Sequence, residues 1–107
     1  MKKLYIVKTT RQFEDIIKTG KCYKNKYFVV HKKNNDLKYD RFGISVSKKL
    51  GNAVFRNKYK RIIRNILDNY KKLYINHKDY IIILRKDAID CDYELLMKEL
   101  FSLLNND

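Results

Sequence analysis

The apolar positions change period along this chain, and each change marks a new element. Thr9 and Gln12 stand ahead of Phe13, Ile16 and Ile17. That spacing predicts a capping box leading into an amphipathic helix, with Gly20 as its stop. Tyr27 to Lys32 is aromatic and β-branched and predicts a strand. The run NNDLKYD predicts a turn. From Arg41 to Ser47 the period is two: Phe42, Ile44 and Val46 alternate with Gly43, Ser45 and Ser47. The first set suits a core. The second is small and polar, which leaves its sheet face open or simply solvated.

Lys48 to Asn52 predicts a turn, and a helix is expected from about Ala53 to about Tyr74. In that helix Tyr59, Ile62, Ile63, Ile66, Tyr70 and Leu73 fill one side at about 100° per residue. Arg56, Lys60, Arg64 and Lys71 climb the neighbouring side, widened by Asn57, Lys58 and Arg61. Tyr80 to Leu84 is a continuous apolar run and predicts a buried strand. Tyr93, Leu96, Met97, Leu100, Phe101 and Leu104 predict a last helix whose stripe is core. The order is α-β-β-α-β-α, with a further strand either near Leu4 to Val7 or within Cys22 to Val30. The expected class is α+β, with helices on one small sheet and residues 1–107 as a single domain.

Charge changes this picture most. Lys and Arg number 25 against 12 acidic residues, a formal net charge of +13 in 107 residues. Such an excess repels itself in a compact fold and calls for a polyanionic partner. A membrane surface would need a free apolar stripe, and each stripe here is assigned to the core; no membrane association is expected. Cys22 and Cys91 stand outside any Cys/His cluster, and His31 and His77 are isolated. Reduced thiols, a cytoplasmic location and no metal site in the protein are expected. No catalytic constellation and no glycine-rich phosphate loop is found. Asp87, Asp90, Asp92 and Glu94 lie close together, and a solvated loop leading into the last helix accounts for them better than a metal site. The row Arg56, Lys60, Arg64 on one helical face favours phosphate contacts, so binding of RNA or DNA is the supported chemistry.

The segment SVSKKLGNAVFRNKYKRIIRN closely resembles the signature of the bacterial ribonuclease P protein subunit: a strand ending SVSKK, then GNAV, then an RNRxKRxxR run on the following helix. Phe13, Gly20, the YFVV and DYIIILRK strands and the last helix also fall where that family has them. The resemblance implies a four-stranded sheet with one left-handed βαβ connection, against the usual rule of hand. It implies an accessory subunit that joins a catalytic RNA and assists endonucleolytic removal of the 5′ leader from precursor transfer RNA. The catalytic residues would then be none in the protein, with Mg²⁺ bound mainly by the RNA and no obligate protein partner. Lys48, Lys49, Asn52, Arg56, Asn57, Lys60, Arg61 and Arg64 match the motif that lies against that RNA, and Lys58 stands where arginine is usual. The family's leader cleft maps onto Phe13, Ile17, Val29 and His31, with Ser45 and Ser47 as floor. Ile17 and His31 stand where some relatives carry aromatics. Phe13 reads equally as core. Two rivals stay open: an RNA-binding module of the same fold, and a metal-dependent nuclease using the acidic cluster.

Overall fold

The computed structural model describes residues 6–70 and 76–106. The elements are α1 (Thr10–Thr19), β1 (Lys21–Lys24), β2 (Phe28–Asn34), β3 (Arg41–Ser45), α2 (Ala53–Asp68), β4 (Lys78–Leu84) and α3 (Tyr93–Asn105), with a short 3₁₀ turn at Lys86–Ala88. The four strands form one sheet in the order β1-β2-β4-β3. β1–β2 and β2–β4 are antiparallel, and β3 runs parallel to β4. The parallel pair β3 and β4 is joined through α2.

The further strand is β1, inside the second of the two proposed stretches except for Lys21. In the first stretch, Ile6 makes an isolated bridge to Phe42 and the Val7 N–H donates to the Phe42 carbonyl at 2.9 Å, while Leu4 lies outside the described residues.

Helix α1 starts as expected. The Gln12 N–H donates to Thr9 Oγ1 at 3.1 Å, and the Thr9 N–H donates to Gln12 Oε1 at 3.3 Å. Gly20 ends the helix for a different reason from the one expected. Its φ is −82°, not left-handed. A Cβ there would lie 2.6 Å from the carbonyl oxygens of Ile16 and Lys32, so the turn needs the absence of a side chain rather than a special dihedral.

Helix α2 ends at Asp68, not near Tyr74. Asn69 breaks it: its side-chain amide donates to the Asn65 carbonyl at 3.1 Å, a local bond that competes with continued helix. The apolar pattern ran on because Tyr70 still packs. Its ring meets Phe101 at 5.0 Å and its hydroxyl bonds Asn105 Oδ1 at 2.6 Å. Lys71 and Leu73 fall outside the described residues.

The two sheet faces divide the core. Phe28, Val30, Phe42, Tyr80, Ile82 and Leu84 meet Tyr59, Ile63, Ile66 and Leu67 of α2 and Leu96, Leu100, Leu103 and Leu104 of α3. Each of these fully buried aliphatic side chains contributes about 1.5–3 kcal/mol. On the other face α1 lays Ile16 and Phe13 against Val7, Ile81 and Ile83. Lys32, by alternation on the larger-core side, is only 5% exposed. Its ammonium bonds the Leu104 carbonyl at 3.0 Å and the Asn106 carbonyl, and sits 4.6 Å from the Tyr23 ring centroid. A cation at the carbonyl end of α3 is favoured by the helix dipole.

Candidate RNA interface

Sequence chemistry holds the start of α2 rigid. Val46 is buried just past β3 and anchors the chain. Ser47 then makes a turn: its Oγ accepts from the Lys49 N–H at 3.2 Å and its carbonyl from the Leu50 N–H at 3.1 Å. Leu50 packs on the core, so Lys48 and Lys49 are displayed on a fixed corner. Ser47 therefore belongs to the corner, beyond the end of β3, rather than to a strand face. Asn52 has a structural duty as well, since its Oδ1 accepts from the Phe55 N–H at 2.9 Å and caps α2.

The nine predicted RNA-binding residues split into groups. At about 100° per residue, Arg56, Lys60 and Arg64 form one strip beside the core boundary. Arg56 and Lys60 are half-buried, and Arg64 is exposed. Asn57, Lys58 and Arg61 form a second strip that faces outward with Val54, which is 78% exposed. Lys48, Lys49 and Asn52 stand at the head of both. The Arg56 Nε is shielded from water and has no hydrogen-bond partner among the described residues. A buried donor left unpaired costs about 1–3 kcal/mol.

Pairing register defines the cleft. One row across the sheet runs Cys22, His31, Ile81, Gly43. The next runs Lys24, Val29, Ile83, Ser45. Helix α1 covers the Gly43–Ile81 end of the first row, where the Phe13 ring occupies the space over Gly43 and a Cβ would lie 2.5 Å from Cζ; Cys22 at the other end is exposed. The face expected to be open or solvated is thus covered at Gly43 and exposed at Cys22. The second row is half-buried at Val29, Ile83 and Ser45 and holds two of the predicted cleft positions, Val29 and Ser45. Ile17, one turn beyond Phe13, is 41% exposed. Phe13 packs with the smaller apolar cluster and also forms the wall of the groove. His31 is half-buried, its Nδ1 has no partner among the described residues, and burial pushes its pKa below 6.5.

Sequence reading missed Ile83, which lies between Val29 and Ser45 in that row. In the run Tyr80–Leu84 every residue is apolar, so no alternation marks which side chains face the groove. A cavity of about 140 Å³ joins groove and ridge, lined by Ile6, Val7, Phe13, Phe42, Gly43, Ile44, Lys60 and Arg64. A larger hollow, about 460 Å³, lies at the other end of the sheet among Lys21, Lys32, Lys33 and Lys78. There Lys32 holds the α3 carbonyls and Lys33 pairs with Asp15 at 2.5 Å, so much of its charge is already engaged. Among the described residues no group of three or more His, Cys, Asp or Glu is placed to hold a metal ion, the acidic stretch at residues 87–94 included. No helix among them is long and apolar enough to cross a membrane.

The Ribonuclease P family model matches residues 1–106. The chain is 43% identical over 105 residues to the ribonuclease P protein component of Mycoplasma mycoides, covering 97% of this chain and 96% of that one. It is 43% identical over 104 residues to that of Streptococcus agalactiae, covering 97% and 94%. The solved RNase P protein of Staphylococcus aureus superposes with a TM-score of 0.82 at 40% identity, covering 94% of this chain and 92% of that one. That of Thermotoga maritima gives 0.84 at 35% identity, covering 92% and 93%. With a matching motif, a matching fold and near-complete coverage, the chain belongs to the ribonuclease P protein family.

Proposed function

We propose that this chain is the protein subunit of a cytoplasmic ribonuclease P, binding a catalytic RNA through α2 and the 5′ leader of precursor transfer RNA through the groove. The observation that carries this is the adjacency of the two surfaces. The cavity beside Phe13 and Gly43 is walled by Lys60 and Arg64, so a groove for one strand opens directly onto a cationic ridge. The groove floor is a single row of small and aliphatic side chains beside a helix, which suits unstacked bases better than a duplex. Lysines and arginines on the ridge neutralise phosphates and release counterions, giving affinity without sequence readout.

The protein's share of the reaction is placement. Lys48 and Lys49 on their fixed corner, with Lys58 and Arg61 on the outward strip, hold the catalytic RNA. Phe13, Ile17, Val29, His31 and Ser45 line the path of the leader. Mg²⁺ held by the RNA would supply the hydrolytic chemistry.

The test is cleavage of a precursor transfer RNA at low Mg²⁺ by the cognate catalytic RNA, with and without the protein, plus the protein alone. Enhancement that requires the RNA is the expected result. Cleavage by the protein alone would move the chemistry into this chain. No enhancement, with binding to ribosomal RNA instead, would leave a general RNA-binding module.

A further inference from the structure

We propose that Lys60 and Arg64, together with the outward edge of β3 at Ile44, form a seat for one phosphate of the single-stranded leader where it passes from groove to ridge. This rests on the function proposed above and divides the α2 motif between two RNAs. Lys60 and Arg64 serve the substrate; Lys58 and Arg61 serve the catalytic RNA.

The lining of the cavity carries the first part. Its eight lining residues include only two charged ones, and both are cations. Neither Lys60 nor Arg64 has a hydrogen-bond or ion-pair partner among the described residues. Two unneutralised cations converging on one hollow repel each other and favour an anion between them. At about 140 Å³ the hollow has the volume of about four to five waters. That admits a phosphate group.

The edge of the sheet carries the second part. β3 is an outer strand. Its outward carbonyl at Phe42 is taken by the Val7 N–H at 2.9 Å. Backbone groups two residues apart point to the same edge, so the Ile44 N–H and carbonyl also point outward. Ile44 lines the hollow and lies past the segment that covers Phe42. An edge N–H beside two cations is a donor set suited to a phosphate oxygen.

The third part is direction. Arg61 lies about 100° around the helix from Lys60, and Lys58 about 160°. Both are exposed and absent from the cavity lining, so they address a different partner. Phe13 and Gly43 line the hollow on the α1 side, and Gly43 lies one row from Val29, Ile83 and Ser45, so a seated phosphate stands one row from the proposed path of the leader.

The experiment uses the holoenzyme assembled with its cognate catalytic RNA. Affinity is measured for precursor transfer RNA with a long leader and with a one-nucleotide leader, for wild type, the Lys60→Ala/Arg64→Ala pair and the Lys58→Ala/Arg61→Ala pair. The first pair should lose about tenfold or more of the long-leader advantage while holding the catalytic RNA nearly as well as wild type. The second should weaken holoenzyme assembly and keep the leader advantage. Replacing single leader phosphates by neutral methylphosphonates should expose one linkage that matters to wild type and no longer matters to Lys60→Ala/Arg64→Ala. An intact leader advantage with weakened assembly in the first pair would assign the phosphate to the catalytic RNA and overturn the proposal. So would a methylphosphonate penalty that persists in that variant. A wild-type holoenzyme with no preference for the long leader would instead refute the proposed function itself, and this seat with it.

Discussion

The Phe13 ring stands in the space that a side chain on Gly43 would fill, with Cζ 2.5 Å from the position of a Cβ. This one contact lets α1 lie close on the sheet and sets the wall of the groove. Gly43→Ala should push the ring aside and destabilise the protein by about 1–3 kcal/mol, the usual range for an overpacked core. Leader affinity should fall with it. The double variant Gly43→Ala/Phe13→Leu should recover part of the stability in a urea melt, because the smaller side chain vacates the ring's space while Ile81 Cδ1 still lies 2.7 Å from the Cβ position. No recovery at all would show that Ile81, rather than the Phe13 ring, sets the limit on residue 43.

Arg41 and Asp79 face each other across β3 and β4. Nε and Nη2 of Arg41 meet the two carboxylate oxygens at 2.9 and 2.6 Å, and Asn35 Nδ2 adds a bond at 2.8 Å. The hydrogen bond to Asp79 raises the guanidinium pKa, against the opposing effect of burial. Asp79 is nearly buried, so Asp79→Ala leaves a shielded guanidinium without its partner. The expected loss is about 3 kcal/mol, read from the denaturation midpoint. A loss under about 1 kcal/mol would mean that the pair is solvated in solution.

Asn52 has two assignable roles, capping and RNA contact, and substitutions separate them. Asn52→Ala removes the bond to the Phe55 N–H and should cost about 1 kcal/mol of stability. Asn52→Asp keeps a capping oxygen and adds negative charge at the helix N-terminus, so thermal stability should be retained. RNA affinity should nevertheless fall with Asn52→Asp, because the new charge faces phosphate. Unchanged RNA binding by Asn52→Asp would reduce this residue to a cap.

His31 should make stability fall on mild acidification. Burial lowers its pKa in the folded state. The unfolded chain, with an ordinary value of about 6.5, therefore takes up the proton first as pH drops. Unfolding is favoured below about pH 6.5, and no contribution remains well above it. His31→Gln should flatten the stability difference between pH 7.5 and 5.5 relative to wild type. An identical pH profile in the two proteins would show that the imidazole is no less basic folded than unfolded.

Much of this could be read from the chain before any coordinates, and the reasons are local. The α1 capping box depends only on residues 9 and 12, and both of its bonds form. The stripe of Tyr59, Ile63 and Ile66 follows from helical period, and all three are buried. Element ends were less legible. Asn69 stops α2 through a side-chain bond that competes with the helix, while Tyr70 prolongs the apolar pattern past that stop by packing on α3.

By itself the sequence determined the three helices and three of the four strands, the apolar face of α2 and the family to which the motif belongs, because periodicity and short-range chemistry are written in consecutive residues. Tertiary structure alone decided which end of the sheet row α1 covers, that Ile83 lies between Val29 and Ser45 in one row, and that Lys60 and Arg64 share a hollow with Phe13 while Arg61 does not. Those relations depend on strand register and on the packing of helices that are distant in sequence. Neither leaves a periodic signature in the residues that it brings together.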